Sequence, residues 1–464
     1  EVEKQKCPYH HHERTAGSTP RPVYQHVPRQ KLTGLRPFLD IPGPLNFDYK
    51  EFRLHNHECI SSLHGKYGDI VRVASQNGGR SSMVYLRDPS AVKHVLMDES
   101  NFDKTFADAD DKSTEYLQYF KNLVQPLLAN AEVFGSGDNS SRRKLLKKTF
   151  SASPELLPGF ERAVERVMQA AWPSSPMENV DLVPLMHQLV FNLVMVIMAG
   201  EDVDMEKSDA LFNVCSECLA HFQERYSQPL FDENISEKDE FWMRKVELAG
   251  QEVTRAFKEK FDRGNVDSLA DTVLLGVMQK FELSNTEISG TMINALFAAC
   301  EAPVHILVTM LVELSKRPGV QEQLYREICE MEKTEDGRDD LYFGSSFLND
   351  CVMEALRAFA PVTLVQRRAI RDTALLGFDI PKNTVIGVCI ASVHGNEQFF
   401  PEPKKYDPYR KDLDMVILNP ENGFMPFSSG PRGCPGRYLA ATILKLGVSR
   451  IVSKYRLHAS PNAK

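Results

Sequence analysis

The sequence predicts a mainly α fold with minor β sheets, built as one large helix-rich domain. Three observations carry this. From residue 89 to about 333 the apolar residues recur at helical spacing, broken only by polar connectors such as 135–141 and 172–178. Short β-like runs occur early, at 70–73 (IVRV) and 83–86 (MVYL), and late, at 384–391 (TVIGVCIA). A last helical stretch closes the chain over about 435–455.

Composition bounds the rest. A chain of 464 residues that is 42% hydrophobic and 25% charged has the balance of a globular protein. It is long enough to bury a core around a ligand pocket of roughly several hundred Å³. Length alone suggests roughly three average domains. The chain, however, shows no Gly/Ser-rich or Pro-rich linker in its interior and no repeat, so one domain over 41–464 is expected, behind a flexible segment, 1–40. The formal net charge of −8 excludes nucleic acid as the main partner, since phosphate binding needs a basic surplus. The cysteine count of 9 is odd and the cysteines are scattered, which is not a disulfide framework and fits a reducing compartment. Cys215 and Cys218 form a C-x-x-C, but no second pair stands at zinc spacing and the pattern around them is helical and apolar, so they read as structural.

No apolar run reaches membrane-spanning length. The nearest, 189–200 (LVFNLVMVIMAG), is short, contains Asn192 and is expected to be a buried core helix. Between Arg14 and Phe38 lie five Arg or Lys residues and no Asp or Glu, the composition of an organelle transit segment. His10, His11 and His12 beside Cys7 are metal-capable residues, but read better as part of a mobile tail.

The elements follow in order. Ile41-Pro42-Gly43-Pro44 makes a rigid entry turn. The longest helical stretch is 284–317, opened by Ser284 and Glu287 at capping-box spacing and interrupted by Pro303, which removes a backbone hydrogen bond and is expected to kink the helix. A shorter helix is expected over 347–359. It carries Glu354 and Arg357, which at i, i+3 share one face and suit a bidentate, charge-assisted pair.

The residues that carry chemistry stand near the end, in Phe427-Ser-Ser-Gly430-Pro-Arg432-Gly433-Cys434-Pro435-Gly436. This is a loop feeding a helix with one cysteine in it. Its glycines allow tight curvature and close approach to a flat ligand, and proline suits a helix start. The helix dipole and unpaired N–H groups favour thiolate at such a position, and Phe427 is placed to shield the sulfur. A buried structural cysteine in a Gly-rich turn fits the same ten residues equally well when they are taken alone.

This segment resembles the haem-binding loop of the cytochrome P450 family, F-x-x-G-x-x-x-C-x-G, at all fixed positions: Phe427, Gly430, Cys434 and Gly436. Glu354 and Arg357 match the family's E-x-x-R, and Tyr406-Asp-Pro408-Tyr-Arg410 resembles the stretch that supplies its third member, Arg410. The resemblance runs from about Pro42 to Tyr455. It implies the cytochrome P450 fold, helix-rich and enclosing haem, with haem b held by Cys434 as the iron ligand. It also implies that Arg432 and Arg143 bind the haem propionates. Arg143 matches a W-x-x-x-R helix whose Trp is replaced here by Asn139. The neighbouring Arg142, Lys144, Lys147 and Lys148 read as a solvated face, or as a docking face for an acidic electron-transfer protein.

One departure is informative. Where the family carries [AG]-G-x-[DE]-T-[TS] in its long helix, this sequence reads Ala298-Ala299-Cys300-Glu301-Ala302-Pro303. The acid is present as Glu301; the threonine position is Ala302. In the family that hydroxyl helps deliver protons for O–O cleavage. Three readings follow. In the first, a monooxygenase uses O2 and electrons from a redox partner, with a substrate hydroxyl or a Glu301–water relay replacing the threonine. In the second, a peroxygenase or hydroperoxide-rearranging enzyme needs no electron donor; peroxygenase members carry Arg-Pro at this point, and here Pro303 is kept but Ala302 replaces the arginine. In the third, the chain is a non-catalytic haem binder. The start, Arg36-Pro-Phe-Leu-Asp-Ile-Pro-Gly-Pro44, resembles that of mature mitochondrial-type members, implying a mitochondrial or other organelle matrix, peripheral membrane contact and a ferredoxin as electron donor, with a P450 reductase as the rival. The substrate is expected to be a small, apolar or partly apolar molecule. By the resemblance, its pocket is lined by 102–120, 212–231, the helix around Phe297 and the strand after Pro361.

Overall fold

The computed structural model describes residues 34–44, 56–74, 82–104, 154, 157–172, 179–199, 210–214, 216–218, 220–221, 236–262, 285–410, 413 and 423–460. Within them the helices are α1 (Asn56–Tyr67), α2 (Pro89–Met97), α3 (Leu157–Ala171), α4 (Leu182–Ala199), α5 (Glu237–Asp262), α6 (Asn285–Ser315), α7 (Pro318–Met331), α8 (Glu335–Phe343), α9 (Phe347–Ala358), the short α10 (Ile390–His394) and α11 (Arg437–Lys454). The strands are β1 (Ile70–Ala74), β2 (Ser82–Leu86), β3 (Phe102–Asp103), β4 (Leu364–Ala369), β5 (Thr373–Leu375), β6 (Phe378–Ile380) and β7 (Val385–Cys389). The expected α-dominated fold with minor sheets is what forms.

Helix α6 is the axis of the molecule. It packs against α4, α5, α9 and α11. Its Ile306, Leu307, Met310 and Leu311 are fully buried, as are Leu189, Val190 and Leu193 of α4, so the described part of that run, 189–195, lies in a core helix. Gly447 lets α11 come close: a methyl group there would stand 3.1 Å from a Leu307 methyl. The window Ala298–Ser315 of α6 is apolar and long enough to cross a membrane by composition, yet it is the helix around which the core is assembled. The helix continues through Pro303. Proline there has no N–H, so the carbonyl of Ala299 loses its helical donor.

The helix starts are chemically marked. Asp88 caps α2, accepting the Ala91 N–H at 2.7 Å, with Pro89 in the first turn. Ser346 caps α9 through the Asn349 N–H, and the Glu327 carboxylate from α7 takes the Phe347 and Leu348 N–H groups at 2.7 and 2.9 Å. Four orphan donors open every helix; α9 satisfies three of its own with side chains and is thereby fixed against α7.

The five-stranded sheet has the order β1-β2-β7-β4-β3, parallel only between β2 and β7. The run 384–391 divides: β7 ends at Cys389, and Ile390 and Ala391 begin α10. The entry turn is tied to β1 by Arg72 N–H donating to the Pro42 carbonyl at 2.8 Å, and a side chain on Gly43 would strike the Arg72 carbonyl. Arg36, within the 1–40 segment, bridges to Phe378 of the β5–β6 hairpin.

Candidate functional site

The sequence places Glu354 and Arg357 one turn apart near the end of α9, and the fold buries both completely. The Glu354 carboxylate receives Arg357 Nε at 2.7 Å and Nη2 at 2.8 Å, a bidentate pair. Arg410 completes it, its Nε donating to Glu354 Oε1 at 3.1 Å, and the Asp407 N–H donates to the same oxygen at 2.9 Å. Arg357 spends its remaining donors on the carbonyls of His394, Pro403 and Lys405 at 3.1, 2.9 and 3.1 Å. The Tyr406 hydroxyl adds a bond to the Cys351 carbonyl at 3.0 Å, and burial pushes its pKa well up. The three residues expected to meet do meet, and they pin the loop 402–410 onto α9.

The cysteine loop is a folded hairpin. Ser428 N–H donates to the Met425 carbonyl at 3.0 Å, Gly433 N–H to Gly430 at 3.0 Å, and Cys434 N–H to the Phe427 carbonyl at 2.9 Å. Two residues sit in the left-handed region, Ser428 (φ 58°) and Gly430 (φ 77°). Gly430 is required twice over: by that φ, and because a Cβ would collide with the Leu96 carbonyl. Met425, Ser428, Ser429 and Arg432 are buried, whereas Cys434 after them is exposed. Gly436 is the N-cap of α11, so Cys434 lies two residues before it, slightly farther from the helix than the sequence suggests. The half-buried Phe427 packs on the main core.

Arg432 has a buried side chain, with Nε 3.2 Å from Glu99 Oε1 and Nη2 3.7 Å from Asp103 Oδ1. Arg143 lies outside the described residues, as do Asn139, Cys7, Cys215, Ser284 and the histidines at 10–12. The C-x-x-C partner Cys218 is buried.

On α6, Ala298 and His305 are exposed, and Ala302 is half-buried between them, making an open stripe at i, i+4, i+7 on a core helix. His305 Nε2 donates to the Phe359 carbonyl at 3.1 Å, and partial desolvation of the ring lowers its pKa. Glu301 is half-exposed, its Oε1 3.8 Å from His187 Nδ1 of α4. Thr309 is the hydroxyl residue seven on from Ala302, but its Oγ1 donates to the His305 carbonyl of its own helix at 2.8 Å.

A thiol-bearing residue exposed in a largely buried or half-buried Gly-rich loop, backed by a buried carboxylate–guanidinium lattice, has the donor set and backbone shape for a flat, thiolate-ligated cofactor. The buried guanidinium of Arg432, two residues before the cysteine, is of the planar, bidentate chemistry that pairs with a propionate. The sequence model described as cytochrome P450 matches residues 37–464.

The chain belongs to the cytochrome P450 family.

It is a haem-thiolate oxidoreductase of the monooxygenase class. This P450 is 23% identical over 432 residues to abscisic acid 8'-hydroxylase 1 of Arabidopsis thaliana, covering 89% of this chain and 85% of that one. It is 26% identical over 373 residues to leukotriene-B4 omega-hydroxylase 3 of Mus musculus, covering 73% and 70%. The crystal structure of the cytochrome P450DA heme domain superposes with a TM-score of 0.72 at 18% identity, over 90% of this chain and 91% of that one, a likeness of fold.

Sequence reasoning missed two histidines. His187 approaches Glu301 from another helix, and His394 joins α9 to the cysteine loop. Neither stands in a spacing pattern with its partner. Both are visible only once the helices are packed.

Proposed function

We propose that Cys434 is the proximal thiolate of a haem b, that Arg432 and Arg143 take its propionates, and that this P450 oxidises a small, largely apolar substrate with O2. The observation that carries the proposal is the exposed Cys434 directly after the hydrogen-bonded 425–433 hairpin, whose Met425, Ser428, Ser429 and Arg432 are buried. Bound there, thiolate-ligated haem supplies oxygen activation, the thiolate's electron density favouring O–O cleavage. The protein's share is to hold the loop rigid and the propionates neutralised, through Gly430 and Arg432, and to present the α6 stripe to the substrate.

Ala302 offers no hydroxyl, and Pro303 offers no N–H. Glu301 is therefore the proton-carrying side chain at that turn, with His187 Nδ1 3.8 Å away. A substrate hydroxyl beside Ala302 takes the position a threonine would fill. Two hydroxylases among the relatives support an oxygen-using reaction on an organic molecule. Electrons come from a protein partner, a ferredoxin or a P450 reductase. The acid-free stretch between Arg14 and Phe38 supports an organelle matrix location. The exposed Leu39, with Leu376 on the neighbouring hairpin, supports peripheral contact with a membrane.

A peroxide-driven reaction is the second reading, favoured by Ala302 and Pro303. Binding spectra against small-molecule classes identify a ligand, and turnover is then compared in two systems. O2 with a reconstituted electron chain is expected to give product, with more wasted peroxide when the substrate hydroxyl is deleted. Efficient turnover with peroxide or a hydroperoxide, alongside none with the electron chains, overturns the oxygen route.

A further inference from the structure

We infer that His394 is a positioning residue for the cysteine ligand, transmitting the placement of the Glu354–Arg357 helix to the Cys434 loop through the backbone N–H of Met425.

The residue stands at the C-terminal end of α10, completely buried. Both ring nitrogens are engaged. Nδ1 lies 3.1 Å from the Arg357 carbonyl, and Met425 N lies 3.0 Å from Nε2. A carbonyl oxygen only accepts and a backbone N–H only donates, so the two partners dictate one tautomer: Nδ1 carries the proton and Nε2 accepts. Burial first, and the Arg357 charge second, push the His394 pKa down to about 3, so the ring keeps this neutral form across ordinary pH.

The geometry makes a chain of fixed links. Arg357 and His394 clasp each other reciprocally, Arg357 Nη1 donating to the His394 carbonyl at 3.1 Å while Nδ1 donates back. The ring stacks on Phe424, centroids 5.6 Å apart at 29°, and meets Phe400 edge-on. The peptide on the far side is the one that starts the loop: the Met425 carbonyl closes the first turn by accepting the Ser428 N–H, and two residues later the Phe427 carbonyl holds the Cys434 N–H. Met425 itself is fully buried, so its N–H has no water to turn to. The structure thus runs without interruption from the buried carboxylate–guanidinium lattice, through one imidazole, to the residue that carries the sulfur.

The inference rests on Cys434 being the haem ligand, and its test separates the two. Asn reaches roughly to the Nδ1 position and Gln to the Nε2 position. His394→Asn therefore keeps the bond to Arg357 and loses the one to Met425, whereas His394→Gln can keep the acceptor for Met425. Each full-length variant is loaded with haem, and the reduced carbonyl spectrum gives the ratio of thiolate-ligated to non-thiolate haem, alongside haem content. We expect wild type and His394→Gln to show mainly the red-shifted thiolate band. His394→Asn should shift that ratio towards the non-thiolate form by roughly 5- to 150-fold, the range set by leaving one buried donor unsatisfied. A wild type without the thiolate band overturns the ligand assignment itself. Given that band, a wild-type ratio in His394→Asn at equal haem content overturns the inference, as does equal loss in the Gln and Asn variants. If the Asn variant accumulates no haem-loaded protein while the Gln variant does, the inference stands, because the two lack the same ring and differ in which bond survives.

Discussion

Replacing Glu354 by Ala tests how much of the fold rests on one buried carboxylate. The structure says what is lost. Arg357, 1% exposed at its side chain, keeps its bonds to three carbonyls but has no counter-charge left. Arg410 and the Asp407 N–H lose the oxygen they share at 3.1 and 2.9 Å. Breaking a buried pair by removing one partner costs about 3–5 kcal/mol. The stranded Asp407 amide adds about 1–3 kcal/mol, less where water enters the loop 402–407. Arg410, at 12% side-chain exposure, can turn outward and adds little. The sum, about 4–8 kcal/mol, is roughly half of the 5–15 kcal/mol that typically separates folded from unfolded chains. Melting temperature is a poor readout: at ~2.1 cal/mol/K per residue, a cooperative unit of 464 residues loses only ~1 °C per kcal/mol. Haem bound per polypeptide and the urea midpoint are better. We expect Glu354→Ala to yield little haem-loaded protein. Glu354→Gln keeps an acceptor for Asp407 while losing the charge, so it should fall between Ala and wild type. A Glu354→Ala protein with full haem content and an unchanged urea midpoint refutes the reasoning.

Further outcomes follow from the same geometry. Gly430→Ala should lose haem, because its φ of 77° strains any side chain by ~1–2 kcal/mol and its Cβ strikes the Leu96 carbonyl. Gly433→Ala, whose nearest neighbour would be 3.3 Å away, should be tolerated; equal haem content in both variants refutes the close-approach argument. Glu301→Gln should cut oxygen-driven turnover by about 10²–10⁴-fold and peroxide-driven turnover much less, and an equal loss in both assays removes Glu301 from proton delivery. Acid should destabilise the protein through buried neutral histidines. Burial lowers the pKa of His64 to about 4 and of His394 to about 3, so between those values and the unfolded 6.5 the unfolded chain binds more protons. Stability is therefore lost as pH falls below about 6.5, by up to ~1.4 kcal/mol per pH unit for each histidine. His64→Asn, which retains a donor for the Gly68 carbonyl at 2.8 Å, should flatten the urea midpoint against pH over that window; an unchanged slope contradicts the assignment.

What the sequence makes legible is what rests on local spacing. Glu354 and Arg357 are one turn apart, so their pairing follows from helix geometry, and the cysteine loop is contiguous. Arg410 is legible only through a family pattern, since its bond to Glu354 spans 56 residues. His394 and His187 are not legible, because tertiary packing alone sets their partners. The apolar run 384–391 shows another limit: its unbroken apolar character fits a buried strand throughout, yet β7 hands over to α10 at Ile390 without any change in hydrophobicity. Pro303 is legible as an interior proline, and α6 is one helix on both sides of it, packed on α4 and α11. The strand β4 is set by pairing with β3 and β7, away from it in sequence, and β5 and β6, which pair only with each other in a hairpin, are only three residues long.

The most direct test of the account is the reduced carbonyl spectrum of the full-length protein beside that of Cys434→Ala. The red-shifted Soret band of thiolate ligation is expected in the first and its complete loss in the second. A Cys434→Ala protein that retains the band contradicts the assignment of Cys434 as the iron ligand.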